Sequence, residues 1–249
     1  GKDYLVVQDG NLTINAQGDG LKSDEAEDAT MGYITIDQGQ FQIDAGGDAM
    51  QAETDLTIAG GTFALTSGGG SSQSIAEDAS AKALKAGRAL VLKGGDYTIN
   101  AADDALHSNA DLLIYGGNFT IATCVDGVLV DANLTVNGGV VRIMQSYEGI
   151  ESAVITINGG EIYIVSSDDG VNAADGTGGG PGGGFGGGQP QGNGGQRGPR
   201  PGRENVNYTG NLYLYINGGY IVVDAGGDGI DANGAIEMTD GVVIVNGPT

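Results

Sequence analysis

The sequence predicts an all-β fold, a parallel β-helix of about nine coils with about 22 residues in each. Three observations predict it: a glycine that recurs at a fixed interval, period-2 apolar columns on either side of that glycine, and a glycine-rich composition suited to tight corners. The marker glycines are Gly10, Gly39, Gly61, Gly95, Gly117, Gly139, Gly160, Gly219 and Gly241. Five of the eight steps are 21 or 22 residues, and the others are 29, 34 and 59. A unit this short cannot close a core alone, but stacked units can.

Two residues after the marker stand Leu12, Phe41, Phe63, Tyr97, Phe119, Val141, Ile162, Ile221 and Val243. Four residues after it stand Ile14, Ile43, Leu65, Ile99, Ile121, Ile143, Ile164, Val223 and Val245. Before it, Ile34 and Ile36, Leu56 and Ile58, Leu90 and Leu92, and Leu112 and Ile114 alternate with polar neighbours. Alternation over three to five residues marks short strands with one buried face. Strands stacked at about 4.8 Å turn each column into a ladder, so Phe41, Phe63, Tyr97 and Phe119 are expected to stack inside. The whole chain is expected to be one domain, with insertions at about 24–31, 68–81 and 176–210 that account for the long steps. The last begins GTGGGPGGGFGGGQP and carries Arg197, Arg200 and Arg203. It lacks the apolar content to order itself.

Composition narrows the partners. Ten Lys and Arg face 32 Asp and Glu, for a formal charge of −22. That balance repels nucleic acid and anionic membranes and favours cations. Cys124 is the single cysteine and His107 the single histidine, so an internal disulfide and a Cys-rich zinc site are excluded. No apolar run reaches membrane-spanning length. GKDYLVV is not a signal peptide, so an exported protein would have its signal outside this chain.

Nine residues after the marker lies an acidic column: Asp19, Asp48, Asp104, Asp126, Glu148, Asp169 and Asp228. Lys82 takes the place in the irregular unit between Gly61 and Gly95. Carboxylates about 5 Å apart repel by roughly 1–3 kcal/mol per pair at a protein surface. A lysine can intercalate, the carboxylates can accept corner N–H groups, or hard cations can bind between coils. Calcium takes six to eight oxygen ligands, and the candidate ligands are this column together with Asp24, Asp28, Glu53, Glu77, Asp78, Asp103, Glu151, Asp168 and Asp231. Asp24, Asp28, Glu77 and Asp78 come from two insertions that share the sequence Ala-Glu-Asp-Ala.

DDALHSNADLLIYGGNFTI, SYEGIESAVITINGG, SSDDGVNAADG and GGYIVVDAGGDGIDANGAIEMTDGVVIVNGPT resemble the carbohydrate-binding parallel β-helix family once described as a domain of unknown function. The resemblance covers nearly the whole chain. It implies a right-handed helix with bound calcium, a fold like that of pectate lyases, and a secreted or surface-anchored bacterial protein that binds acidic pectin-like chains or cellulose. A pectate lyase needs a strong base beside its metal, and Lys82, Lys85 and Arg88 are the candidates, with His107 aligned to Lys85. None sits in a defined catalytic motif, so a non-catalytic binder is preferred. Two alternatives stand beside it: a calcium-stiffened rod joining head to tail in an extracellular fibre or matrix, and a calcium-dependent lyase.

Outward tyrosines Tyr115, Tyr163 and Tyr215 are the expected sugar contacts, because an aromatic ring offers an apolar face beside a polar tip. One and three residues after the marker the outer face is polar in most coils, as at Gln40, Gln42, Asp96 and Thr98. It turns apolar at Tyr220, Val222, Val242 and Ile244. These four are the expected interface for self-association through the terminal coils.

Overall fold

The computed structural model describes residues 1–76, 78–174 and 211–247. Glu77 and the glycine-rich insertion, with its three arginines, lie outside them. Every pairing between the strands is parallel, and they form two sheets. The nine-stranded sheet runs Asn11–Ala16, Gln40–Ala45, Thr62–Ser67, Asp96–Ala101, Asn118–Thr123, Val140–Gln145, Glu161–Ser166, Tyr220–Ala225 and Val242–Asn246, each bonded to the next. The fifteen-stranded sheet has two tracks. One begins with the four-residue strands Tyr4–Val7, Tyr33–Ile36, Asp55–Ile58, Ala89–Leu92 and Asp111–Ile114. The other begins with the three-residue strands Leu21–Ser23, Met50–Ala52, Leu84–Ala86 and Leu106–Ser108.

Here the expected class needs correction. The chain is not nine equivalent coils of a right-handed β-helix. The larger sheet follows a ten-strand path that turns back through Val128–Val136, so its two tracks are one sheet almost closed on itself. The all-β class stands. The cause is local. In three earlier units two residues separate the tracks, Glu53-Thr54, Gly87-Arg88 and Asn109-Ala110, and in the first unit nine residues do so between Ser23 and Tyr33. In VLVDANLTV and IESAVITI that break is absent, and Val128–Val136 and Ile150–Ile157 run on as single strands of nine and eight residues.

Register follows the sequence columns. Ala89 pairs with Asp111, Asp96 with Asn118, and Leu106 with Val128. Inward positions make the core: Ile34, Leu56, Leu90, Leu112, Leu134, Ile155 and Leu214 are all at most 1 % exposed. Phe41, Phe63, Tyr97 and Phe119 stack with centroids 4.8, 4.7 and 4.4 Å apart and planes within 10°. The Tyr97 hydroxyl donates to the Gly94 carbonyl at 2.8 Å, satisfying the one polar atom of the stack. Each marker glycine has positive φ. At Gly117, with φ +108°, a Cβ would stand 2.9 Å from the Gly95 carbonyl oxygen. Only glycine gives both the dihedral and the close approach of consecutive corners.

Candidate functional site

The acidic column lies in the corners between the nine-stranded sheet and the short strands. Its members hold one another's backbone. Asp19 accepts the Asp48 N–H at 2.9 Å, and Asp48 accepts the Lys82 N–H at 2.7 Å. Asp104 accepts the Asp126 N–H and Asp126 the Glu148 N–H, both at 3.3 Å. Asp169 accepts the Asp228 N–H at 2.7 Å. Five of the seven carboxylates thus accept a corner donor one unit along, which gives an acid a structural use there.

Beside this column runs a second one that the sequence reading missed. It is the middle residue of each three-residue strand and its continuation: Lys22, Gln51, Lys85, His107, Leu129, Glu151, Asn172 and Asp231, paired in that order. It stands three residues after the first column, and that spacing was the available signal. Its charge reverses at Leu129.

Before the reversal the acids are neutralised. Lys22 Nζ lies 2.8 Å from Asp19, and Lys85 Nζ lies 3.5 Å from Asp48. Ser80 bridges this second pair, donating to Asp48 at 2.7 Å and accepting from Lys85 at 3.1 Å. Lys82 Nζ sits 2.7 Å from Asp103 and 2.8 Å from Asp104. His107 Nδ1 is 3.2 Å from Asp104, and its Nε2 is 2.8 Å from Asn109 Oδ1. Burial works against the Lys82 charge, and Asp104 and Asp103 outweigh it and keep the ammonium firmly protonated. Burial would likewise raise Asp104, but Lys82, then His107, hold it below the usual carboxylate range.

After the reversal, no Lys, Arg or His among the described residues forms an ion pair with Asp126, Glu148, Glu151, Asp168, Asp169, Asp228 or Asp231. Asp126, Glu148, Glu151 and Asn172 are buried, Glu151 to 2 % exposure. Burial, then the charges of Asp104 and Glu148, push Asp126 well up. Burial and the neighbouring Glu148 do the same to Glu151. Asp169 is pushed up to about 6, chiefly by burial. Asn172 Nδ2 reaches Glu148 at 3.5 Å. Glu151 Oε1 and Asn172 Oδ1, both shut off from solvent, accept no hydrogen bond. Buried acceptors of this kind are ordinarily satisfied.

Other expected ligands are placed elsewhere. Asp24, Glu53 and Asp78 are exposed, and Asp28 accepts from its neighbour Thr30 at 2.9 Å. Asp103 belongs with Lys82. Among the described residues, no three Asp, Glu, His or Cys side chains converge as a metal-holding group.

The three tyrosines do not share one surface. Tyr115, 52 % exposed, follows the strand Asp111–Ile114. Tyr163 is in the nine-stranded sheet, and Tyr215 is in the other, 5.7 Å from Tyr213. Tyr220, Val222, Val242 and Ile244 are side by side, because Tyr220 pairs with Val242 and Val222 with Ile244. The candidate bases are all engaged: Lys82 and Lys85 as above, and Arg88 by Asp55 at 2.8 and 2.5 Å.

A family model described as "Carbohydrate-binding domain-containing protein" matches residues 1–127 of the 249. Neither the curated proteins nor the solved structures supply a match.

Proposed function

Because the chain belongs to the family of carbohydrate-binding domain-containing proteins, we propose that it is a non-catalytic extracellular protein that binds polysaccharide, acidic pectin-like chains or cellulose, with calcium held by its uncompensated carboxylates. The family match supports the carbohydrate partner. The charge reversal along the paired columns carries the calcium reading: the half beyond Leu129 gathers buried acids with no cationic partner among the described residues. Glu151 Oε1 and Asn172 Oδ1 are hard oxygens without a donor, the ligand type calcium takes. Asp126, Glu148, Glu151 and Asn172 are the ligands proposed, with Asp169 next along the column; as they stand they do not converge, so binding would draw them together around the ion. Calcium there would supply the positive charge that the column lacks. A binder rather than a lyase is supported by Lys82, Lys85 and Arg88, each already committed to a carboxylate.

The test combines metal and glycan. Calcium binding only the folded state adds about 2.7 kcal/mol at a hundredfold excess over its Kd, which for a chain of this size raises Tm by about 5–11 °C. Polygalacturonate and insoluble cellulose are then offered with calcium and with chelator. Retention of either without unsaturated product supports the reading. A melt indifferent to calcium removes the metal, retention of neither glycan removes the binding role, and rising ultraviolet absorbance on polygalacturonate converts the protein to a lyase.

A further inference from the structure

The outward face of the nine-stranded sheet changes character halfway along. One column of that face reads Thr13, Gln42, Ala64, Thr98, Thr120, Arg142, Tyr163, Val222 and Ile244, each paired with the next. Its first five members are polar or small. Its last three are aromatic or apolar, and Arg142 stands at the boundary. The adjacent column ends with Val140, Glu161, Tyr220 and Val242. Tyr220, Val242 and Ile244 are exposed to 38, 48 and 41 %.

Arg142 is the cation of this half-face. Its guanidinium carbon lies 5.0 Å from the Tyr163 ring centroid, and no carboxylate among the described residues forms an ion pair with it. The contact with the ring holds the guanidinium plane and leaves its N–H edges as donors. Tyr163 donates its hydroxyl to Glu161 Oε2 at 3.0 Å, and the Tyr220 ring leans on Tyr163 at 6.2 Å and 54°. Arg142 and Glu161, on the adjacent strands Val140–Gln145 and Glu161–Ser166, therefore set a donor and an acceptor along one edge of an apolar patch whose Tyr220, Val222, Val242 and Ile244 lie on the two strands beyond.

Size and charge select the occupant. Four strands about 4.8 Å apart and outward positions spanning about 13 Å enclose roughly 200 Å². A stable protein interface buries about 800 Å² on each partner, so a second copy is poorly matched to this face. A chain of a few sugar rings is well matched: C–H faces on Val222, Ile244 and Tyr220, hydroxyls toward Arg142 and Glu161. Against the single guanidinium stand Glu161 and the outward Asp224, so the local balance is negative and disfavours a ring that carries a carboxylate. We propose that this half-face seats a neutral glycan with equatorial hydroxyls, oriented by Arg142, apart from the acidic columns. The proposal rests on the polysaccharide-binding reading above.

Calorimetric titration of the full chain with neutral β-1,4-glucan oligomers, and separately with polygalacturonate plus calcium, tests it. Arg142→Gln and Val222→Lys are compared with Thr98→Lys on the polar half, each checked by its melt. The expected result is an affinity for the neutral glucan reduced about tenfold or more by the first two and unchanged by the third, with polygalacturonate binding unmoved. Polygalacturonate binding with no neutral-glucan binding overturns this inference and leaves the broader reading intact. Neutral-glucan affinity unchanged in Val222→Lys overturns it, as does a parent dimer that Val222→Lys makes monomeric. Binding of neither glycan fails the polysaccharide reading and this inference with it.

Discussion

Replacing Lys82 by Met removes the ammonium that stands inside the acidic column and keeps most of the aliphatic stem. The side chain is 13 % exposed and that of Asp104 is 2 % exposed, so water screens the contact little. At 2.7 and 2.8 Å from Asp103 and Asp104, each attraction is about 6 kcal/mol at an effective dielectric of about 20, before desolvation is subtracted. Methionine needs no desolvation, so part of that is recovered. What remains is Asp104 buried without its charge partner, and losses of this kind run to about 3–5 kcal/mol. At about 2–4 °C per kcal/mol for a chain of this size, Tm falls by about 6–20 °C. The assay is a calorimetric melt at pH 7 with chelator present. The double variant Lys82→Met/Asp104→Asn regains most of the loss, because the orphaned charge is gone. A Lys82→Met protein that melts within about 2 °C of the parent would refute the assignment of Lys82 as the clamp of the column.

Two further outcomes follow from the same geometry. Asp126, Glu151 and Asp169 are held above their unfolded values, so the folded chain keeps protons that the unfolded chain has released. Their contribution is complete below about 4 and is lost as pH rises through about 6 for Asp169, and higher for the other two. Metal-free protein should therefore melt higher at pH 5 than at pH 8, and calcium should narrow the gap; a flat metal-free profile would count against the uncompensated cluster. Phe63→Ala removes the ring 4.8 Å from Phe41 and 4.7 Å from Tyr97 and should cost about 3–5 kcal/mol in denaturant unfolding, whereas a cost below about 1 kcal/mol would mean that the stack closes over the gap.

Much of this was legible in the residues. Strand positions, inward columns, the aromatic stack and the ladder of acids all follow from a period that repeats in both hydropathy and glycine. The merging of two tracks was not read, because no residue type marks it: Glu53-Thr54 and Asn109-Ala110 break the strand without a glycine, and only the backbone course sets them apart from Asp131-Ala132 and Ala153. The charge reversal was hidden for a different reason. Lys85 and His107 were weighed as candidate bases, one residue at a time, and only the register shows them as members of a column that ends in Glu151, Asn172 and Asp231. Arg142 drew no attention in the sequence, since its isolation from carboxylates is a fact of placement. Tyr115, Tyr163 and Tyr215 were read as outward; Tyr115 is exposed and the other two are partly buried, and alternation along a strand does not say which of two sheets a residue faces away from.

The spacing of the pairs carries a lesson about length. Tyr4 pairs with Tyr33 after 29 residues, Asp55 with Ala89 after 34, and Val154 with Tyr213 after 59, yet the ladder resumes in register each time. Doubling the length of a connection adds only about 0.6 kcal/mol of closure entropy. Corners that already hold extra chain can therefore lengthen, shorten or accept foreign peptide without moving the sheets on either side. A scaffold of this kind separates its architecture from its length.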